Sequence, residues 1–248
     1  MIAAILIFLA WGSYLNSLGY RLLNLEHFFK VRSFCPHCHH QINWYDNIPV
    51  ISWLWLKAQC RFCKQPISWL YPFIELVSTF SLFFLWQTVP THYFPTYFLF
   101  FSALIVTLRT DCDQMLISRF VTLYLLPAGF CAAAFNFLPL SFNMALLGAI
   151  CGYVVLWCAK TVAYLITKQE CLGQGDLELL AFIGAFTGPC GAWITMLVGS
   201  VLGTVISTIF MITTQQKIEK IPLGAFLSCG AMTFVLFQQF FMTYFFAA

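Results

Sequence analysis

Charge is what this chain has least of. Only 8% of its 248 residues are Asp, Glu, Lys or Arg, against about 25% in a soluble globular domain, while 61% are hydrophobic and 19% aromatic. So few polar side chains cannot cover a water-facing surface, and a soluble enzyme is excluded. A polar low-complexity tail is missing, and the net charge of +3 is too small for a nucleic-acid-binding surface. The first apolar run, from Met1 to about Leu18, begins without Lys or Arg and lacks a small-residue cleavage site. It therefore reads as a retained helix, not a removable signal peptide. With a mean hydropathy of +0.84, the chain is expected to be an all-α polytopic membrane protein embedded in lipid.

Apolar runs between breakers fall at about 1–18, 73–89, 94–109, 120–138, 143–166, 177–188, 191–213 and 222–246. Pro90, Pro95, Pro139, Pro189 and Pro222 mark their junctions, where a residue that cannot continue a helix belongs. About eight transmembrane helices are expected. The run at 177–188 is shorter than the ~20 residues a bilayer asks for, so it is read as broken or tilted. The Lys and Arg residues fall in alternate loops. Arg21, Lys30, Arg32, Lys57, Arg61 and Lys64 lie in the first loop, Arg109 and Arg119 flank the next, Lys160 and Lys168 a third, and Lys217 and Lys220 the last. The turns between them, near 90–95, 137–143 and 188–191, carry no charge. Cytoplasmic loops collect Lys and Arg, which predicts that these four loops face the cytoplasm and both termini face outward. The expected organisation is a first transmembrane helix (1–18), a small cytoplasmic insertion (19–71) and a seven-helix membrane domain (72–248).

The insertion holds Cys35-Pro-His-Cys38 and Cys60-Arg-Phe-Cys63, the ligand spacing of a structural zinc site with four thiolates. Each pair is expected to turn two sulfurs towards one ion, and the metal to stabilise a loop too small to build its own core. Two disulfides or four free thiols are the competing readings, the disulfides disfavoured in a reducing cytoplasm. A catalytic zinc is disfavoured because four thiolates leave no open position. His37, His39 and His40 read as a solvated cluster, and Cys131, Cys151, Cys158 and Cys229, scattered through apolar runs, as buried packing thiols.

Nine acidic residues serve the whole chain, so those near a span need a reason. Asp111 and Asp113 follow the run at 94–109, and Asp176 ends Gly173-Gln-Gly-Asp176 just before the short run. Ionisable groups at the edge of a span are functional candidates. Two carboxyls brought close share a proton, one taking a proton from water while the other protonates the substrate, which is aspartic-protease chemistry. Gly173 and Gly175 let the backbone turn closely beside Asp176. On a helix Asp111 and Asp113 point about 200° apart, so only one should face Asp176. Solvation of loop ends, or neutralisation of Arg109 and Arg119, is the bland alternative.

Several segments together resemble the type IV prepilin peptidases, bifunctional leader peptidase/N-methyltransferases among the GxGD-type membrane aspartic proteases. They are Gly12-Ser-Tyr-Leu-Asn16 with Tyr20-Arg21, Trp44-Tyr-Asp-Asn-Ile-Pro49, the two CxxC pairs, and Tyr71-Pro72 with Glu75. Asp111-x-Asp113-x-Met-Leu, Gly173-x-Gly-Asp176 and Ile221-Pro-Leu-Gly224 complete the set. The resemblance implies Asp111 and Asp176 as the catalytic dyad with Asp113 supporting. It also implies prepilin or pseudopilin substrates of pilus and type II secretion systems, cut after a leader Gly at the cytoplasmic face of the bacterial inner membrane. S-adenosyl-L-methionine is the implied methyl donor, although no residue spells a recognisable pocket for it. The chain departs from the pattern at Ile117-Ser-Arg119, where Leu-Pro-Asp is common, at Glu178, where a basic residue is usual, and at Ala225, where Pro is usual. An exchanged ion pair, Arg119 with Glu178, would reconcile the first two.

Other residues carry plainer readings. Asn16 is expected to hydrogen-bond across helices, and Glu75 to complement a helix N-terminus or position a substrate amine. Trp44, Tyr45, Trp53 and Trp55 fit an aromatic interface belt, and the Phe-rich runs fit lipid contact or packing. Two rival functions are a presenilin-like intramembrane protease and a non-enzymatic transporter or assembly scaffold. The zinc-spaced loop and the missing Tyr-Asp partner motif argue against the first, and Asp111→Asn or Asp176→Asn separates the second, which permits continued pilin processing.

Overall fold

A computed structural model describes residues 1–23, 33–169, 172–215 and 221–245. Lys30, Arg32, Lys217 and Lys220 lie outside the described residues. Among those described, nine α-helices account for the regular structure, and the only β-pairing is two isolated bridges. The chain divides into two units, Met1–Gln87 and Thr88–Ala248.

In the first unit, α1 (Ile2–Leu23) and α3 (Leu70–Thr88) flank a polar module that contains a 3-10 turn (Trp44–Asn47) and the single-turn α2 (Ile51–Trp55). Pro72 sits in the first turn of α3, where its missing N–H has no helical partner to lose. Asn16, buried in α1, donates from Nδ2 to the Tyr71 carbonyl at 3.2 Å, as expected of a polar residue joining two membrane helices. Trp44 and Trp55 are exposed, but Trp53 turns inward and donates its indole N–H to the Ile67 carbonyl at 3.1 Å. It is thus part of the module's interior rather than of the belt.

The second unit contains α4 (Phe94–Gln114), α5 (Arg119–Ala134), α6 (Phe142–Thr167), α7 (Gln174–Thr214), α8 (Leu223–Leu236) and α9 (Gln238–Phe245). The apolar runs at 177–188 and 191–213 belong to α7, whose two limbs meet at Gly188 with φ 74° and ψ −179°. Only Gly adopts that conformation readily, and Pro189 follows it, so the break is written in two adjacent residues. The α6–α7 contact depends on small residues. A side chain at Gly152 would put its Cβ 2.5 Å from the Leu180 carbonyl oxygen, and Gly148 meets the Gly184 backbone as closely. Phe100 of α4 stacks on Phe186 of α7 with ring centroids 4.7 Å apart, and Phe182 completes a buried aromatic core.

Four helices are long and apolar enough to cross a membrane (α1, α3, α6 and α7), or five if α8 and α9 count as one span. The expected eight crossings are therefore not reproduced by helix length. α5 has 16 residues, and α8 breaks from α9 with an 81° bend, which splits the run at 222–246. Large apolar side chains such as Phe80, Tyr124, Ile166 and Val201 cover the outer faces, and the chain is an integral membrane protein. Cys131, Cys151 and Cys158 are exposed on these faces and Cys229 is half-buried, which corrects the expectation of buried thiols. A neutral thiol is apolar enough to face hydrocarbon as readily as a core.

Candidate functional site

The four cysteine sulfurs form one cluster in which every Sγ lies within 4.8 Å of the others. They are presented by two knuckles that repeat the same backbone pattern twenty-five residues apart, Cys35 corresponding to Cys60. In the first, the Cys35 N–H donates to the His40 carbonyl and the His39 N–H to the Cys35 carbonyl. In the second, Cys60 donates to Gln65 and Lys64 to Cys60. Each knuckle is closed by one bridge, Phe34 with Gln41 and Gln59 with Pro66. Each also turns through a positive-φ residue after its second cysteine, His39 at 56° and Lys64 at 60°.

All four cysteines are free thiols. The Cys35–Cys63 separation of 3.8 Å matches the edge of a tetrahedron with Zn–S bonds of about 2.3 Å, which is about 3.8 Å. Burial pushes the Cys60 thiol up, but the amides of Cys63 and Phe62 and the thiols of Cys63 and Cys35 bring it down to about 7. Cys63 is eased by the Gln65 amide, yet burial and the three neighbouring thiols push it up to about 11. Such a cluster ionises in full only around a cation. The donor set therefore fits a structural divalent metal.

The second cluster lies at the C-terminal end of α4. Asp111, in the last turn but one, is only 4% exposed for the whole residue, and its Oδ2 accepts the Ala225 N–H at 2.7 Å. The Gly224 amide reaches the same carboxyl. These are first-turn amides of α8, which have no partner within their own helix, so Asp111 fills the anion position at a helix N-terminus. Ala225 replaces a usual Pro, and its N–H is the donor that Pro would lack.

Asp176 stands in the first turn of α7, takes a hydrogen bond from the Gly173 amide, and lies within electrostatic reach of Asp111. Ile117, on the short link from α4 to α5, joins the two positions. A Cβ at Gly175 would meet the Ile117 Cβ at 3.0 Å. One at Gly224 would meet the Ile117 Cδ1 at 2.6 Å and Asp111 Oδ2 at 3.1 Å. The small residues of both motifs thus leave room for one branched side chain between the carboxyls' supports.

Asp113 points elsewhere. Its Oδ2 pairs with the Arg109 guanidinium at 3.0 Å, one turn back on α4, and the Arg109 side chain is only 2% exposed. The half-turn offset between Asp111 and Asp113 is seen directly. Arg119, at the start of α5, pairs with the buried Glu178 of α7 at 3.7 Å, and the Thr122 hydroxyl donates to Glu178 Oε2 at 3.4 Å. The exchanged ion pair read from the sequence is present.

Sequence reasoning missed the Gly224 and Ala225 amides as partners of Asp111. Backbone donors leave no side-chain signature, and the one available signal was the Ile221-Pro-Leu-Gly224 motif, which had no role assigned. Comparisons with known proteins bear on the whole arrangement. The profile of the type IV leader peptidase family matches residues 98–208, and that of the bacterial peptidase A24 N-terminal domain matches residues 6–89. The chain belongs to the type IV leader peptidase family. It is an enzyme, a peptidase of the membrane. A prepilin leader peptidase/N-methyltransferase from Aeromonas hydrophila is 35% identical over 201 residues, covering 79% of this chain and 68% of the relative. One from Stutzerimonas stutzeri is 35% identical over 212 residues, covering 84% and 72%. One from Dickeya chrysanthemi is 31% identical over 265 residues, covering 95% and 92%. No solved structure matches.

Proposed function

We propose that this chain removes the leader of type IV prepilins or pseudopilins at the cytoplasmic face of the inner membrane, with Asp111 and Asp176 as the working pair, and N-methylates the amine so released. One observation carries the reading. A buried carboxyl at the end of α4 and a second at the start of α7 come within electrostatic reach of each other, inside the segment that matches the peptidase family. The Ala225 N–H fixes the orientation of Asp111, and the Arg119–Glu178 pair fixes the first turn of α7 two residues from Asp176.

A pair sharing one proton can take a proton from water with one carboxylate while the other protonates the scissile carbonyl and then the leaving amine. Asp113 is given a supporting role, holding the buried charge of Arg109. The sidedness rests on the alternation of basic loops, and the four-cysteine cluster is assigned to structural zinc. S-adenosyl-L-methionine, consumed as a co-substrate, supplies the methyl group in the second reaction, which the names of the relatives support.

Co-expression with a candidate prepilin tests this reading. Leader removal is followed by mobility shift and N-terminal mass for wild type, Asp111→Ala, Asp113→Ala and Asp176→Ala. Cleavage after the leader Gly, abolished at Asp111 and Asp176, is the expected result. Continued processing by both variants overturns the dyad and favours a scaffold.

A further inference from the structure

Three sequence motifs have no part in the aspartate chemistry, and in the first unit they meet at one carboxylate. Glu75 of α3 is only 7% exposed. Its Oε2 accepts the Val50 N–H at 2.8 Å, and the Ser13 hydroxyl of α1 also reaches the carboxylate. Gly12 is the position that lets α1 approach, since a Cβ there would lie 3.3 Å from the Glu75 carbonyl and 3.0 Å from the Ser78 Cβ.

Two features distinguish this node from ordinary packing. First, among the described residues no Lys, Arg or His lies within ion-pair distance of Glu75. The other described acidic side chain of the unit, Asp46, is bound two-handed by Arg61 at 2.6–3.1 Å. A buried carboxyl with neutral partners and no counter-ion gives up its charge by taking a proton unless a cation joins it. Second, its amide donor is strained. Val50 sits at φ 61° and ψ −51°, and the Ile51 N–H reaches the Pro49 carbonyl at 2.6 Å, a γ-turn of the rare positive-φ kind. A β-branched residue is out of place there. Release of the turn relieves the strain as it withdraws the amide, so the carboxylate can exchange that donor for another at little net cost.

We propose that Glu75 is the counter-ion for the newly exposed α-ammonium of the processed substrate. This rests on the N-methylation reading above. The ammonium takes the place of the Val50 amide and passes one proton to the carboxylate. The freed nitrogen lone pair forms the N–C bond as the methyl–sulfur bond of the sulfonium donor breaks to a thioether. The product leaves as a secondary ammonium, and the proton on Glu75 returns to water. The motifs at Gly12-Ser13, Ile48-Pro49 and Glu75 then share one purpose, the recognition of a primary ammonium.

Peptide binding to the full-length, zinc-loaded protein in nanodiscs, without methyl donor, tests the assignment. The probes are a synthetic peptide of a mature pilin N-terminus with a free amine and the same peptide N-acetylated. Wild type is expected to favour the free amine by about tenfold or more, the scale of one charge-assisted hydrogen bond. Glu75→Gln keeps an acceptor for Val50 and a partner for Ser13, and it is expected to lose the preference while retaining one zinc per chain. A preference that survives in Glu75→Gln overturns the proposal, and so does a wild type that binds both peptides equally, a result that needs no variant to fold. Failure of the N-methylation reading looks different, since wild type then adds no methyl mass to a cleaved prepilin whatever the peptides do.

Discussion

Exchanging the charges of Arg119 and Glu178 gives the sharpest test of how the first turn of α7 is held. The two groups are 3.7 Å apart, with the Arg119 side chain 71% and the Glu178 side chain 9% exposed. At that distance an effective dielectric of 20 gives about 4–5 kcal/mol and bulk water about 1 kcal/mol. Because the guanidinium is largely solvated, screening brings the net attraction to about 0.5–1 kcal/mol. Arg119→Asp replaces that attraction with repulsion beside a buried carboxylate, and Glu178→Lys buries an ammonium next to a guanidinium. Each single change should therefore cost roughly 2–4 kcal/mol. The double variant should recover about 1–2 kcal/mol of the summed loss as a coupling term. Thermal unfolding in detergent measures the coupling, and prepilin cleavage reports whether Asp176 follows the turn. A double variant no more stable and no more active than the worse single would refute the pairing as a positioning device.

Elemental analysis should find about one zinc per chain, lost in Cys35→Ser; a metal-free wild type would remove the zinc assignment. Ligation needs thiolates, so protons compete with the metal and zinc retention against a chelator should fall as the solution is acidified. His39→Gly and Lys64→Gly should each stabilise the metal module by a few tenths to about 1 kcal/mol by relieving left-handed backbone, read as slower zinc loss; unchanged loss would show that the turns carry no strain. Gly152→Ala should force α6 away from the Leu180 carbonyl and cost about 1–3 kcal/mol, seen as a lower unfolding midpoint, whereas Ala at the exposed Val162 of the same helix should be neutral within about 0.5 kcal/mol.

The sequence was most readable where chemistry requires a particular side chain. Four thiols at fixed spacing announced the metal cluster, and scarce carboxylates beside apolar runs singled out Asp111, Asp113 and Asp176, among which only the family resemblance preferred Asp111 to Asp113. The sign change at positions 119 and 178 was enough to foresee an ion pair across two helices. Hydrophobicity alone was weaker. It separated the runs at 177–188 and 191–213 with Pro189 as their junction, but counted spans by composition, which cannot distinguish a full crossing from a short helix packed inside protein. It could not say which way an apolar thiol faces, as Cys131 and Cys158 show, nor that Trp53 turns inward while Trp55 stays out. Contacts made by backbone amides, those of Ala225 to Asp111 and of Val50 to Glu75, were invisible because any residue but Pro supplies them.

Three of the helical segments around the aspartates are short, although α4, which carries Asp111, has 21 residues. At about 1.5 Å per residue, the 16 residues of α5 extend about 24 Å. The α7 limb from 174 to 187 and the 14 residues of α8 extend about 21 Å each. A hydrocarbon layer is about 30 Å thick. The α7 limb beyond its first turn is buried throughout and α8 has no exposed residue, so they need no lipid-facing length, and helices too short to span alone are tolerated where their surroundings are protein.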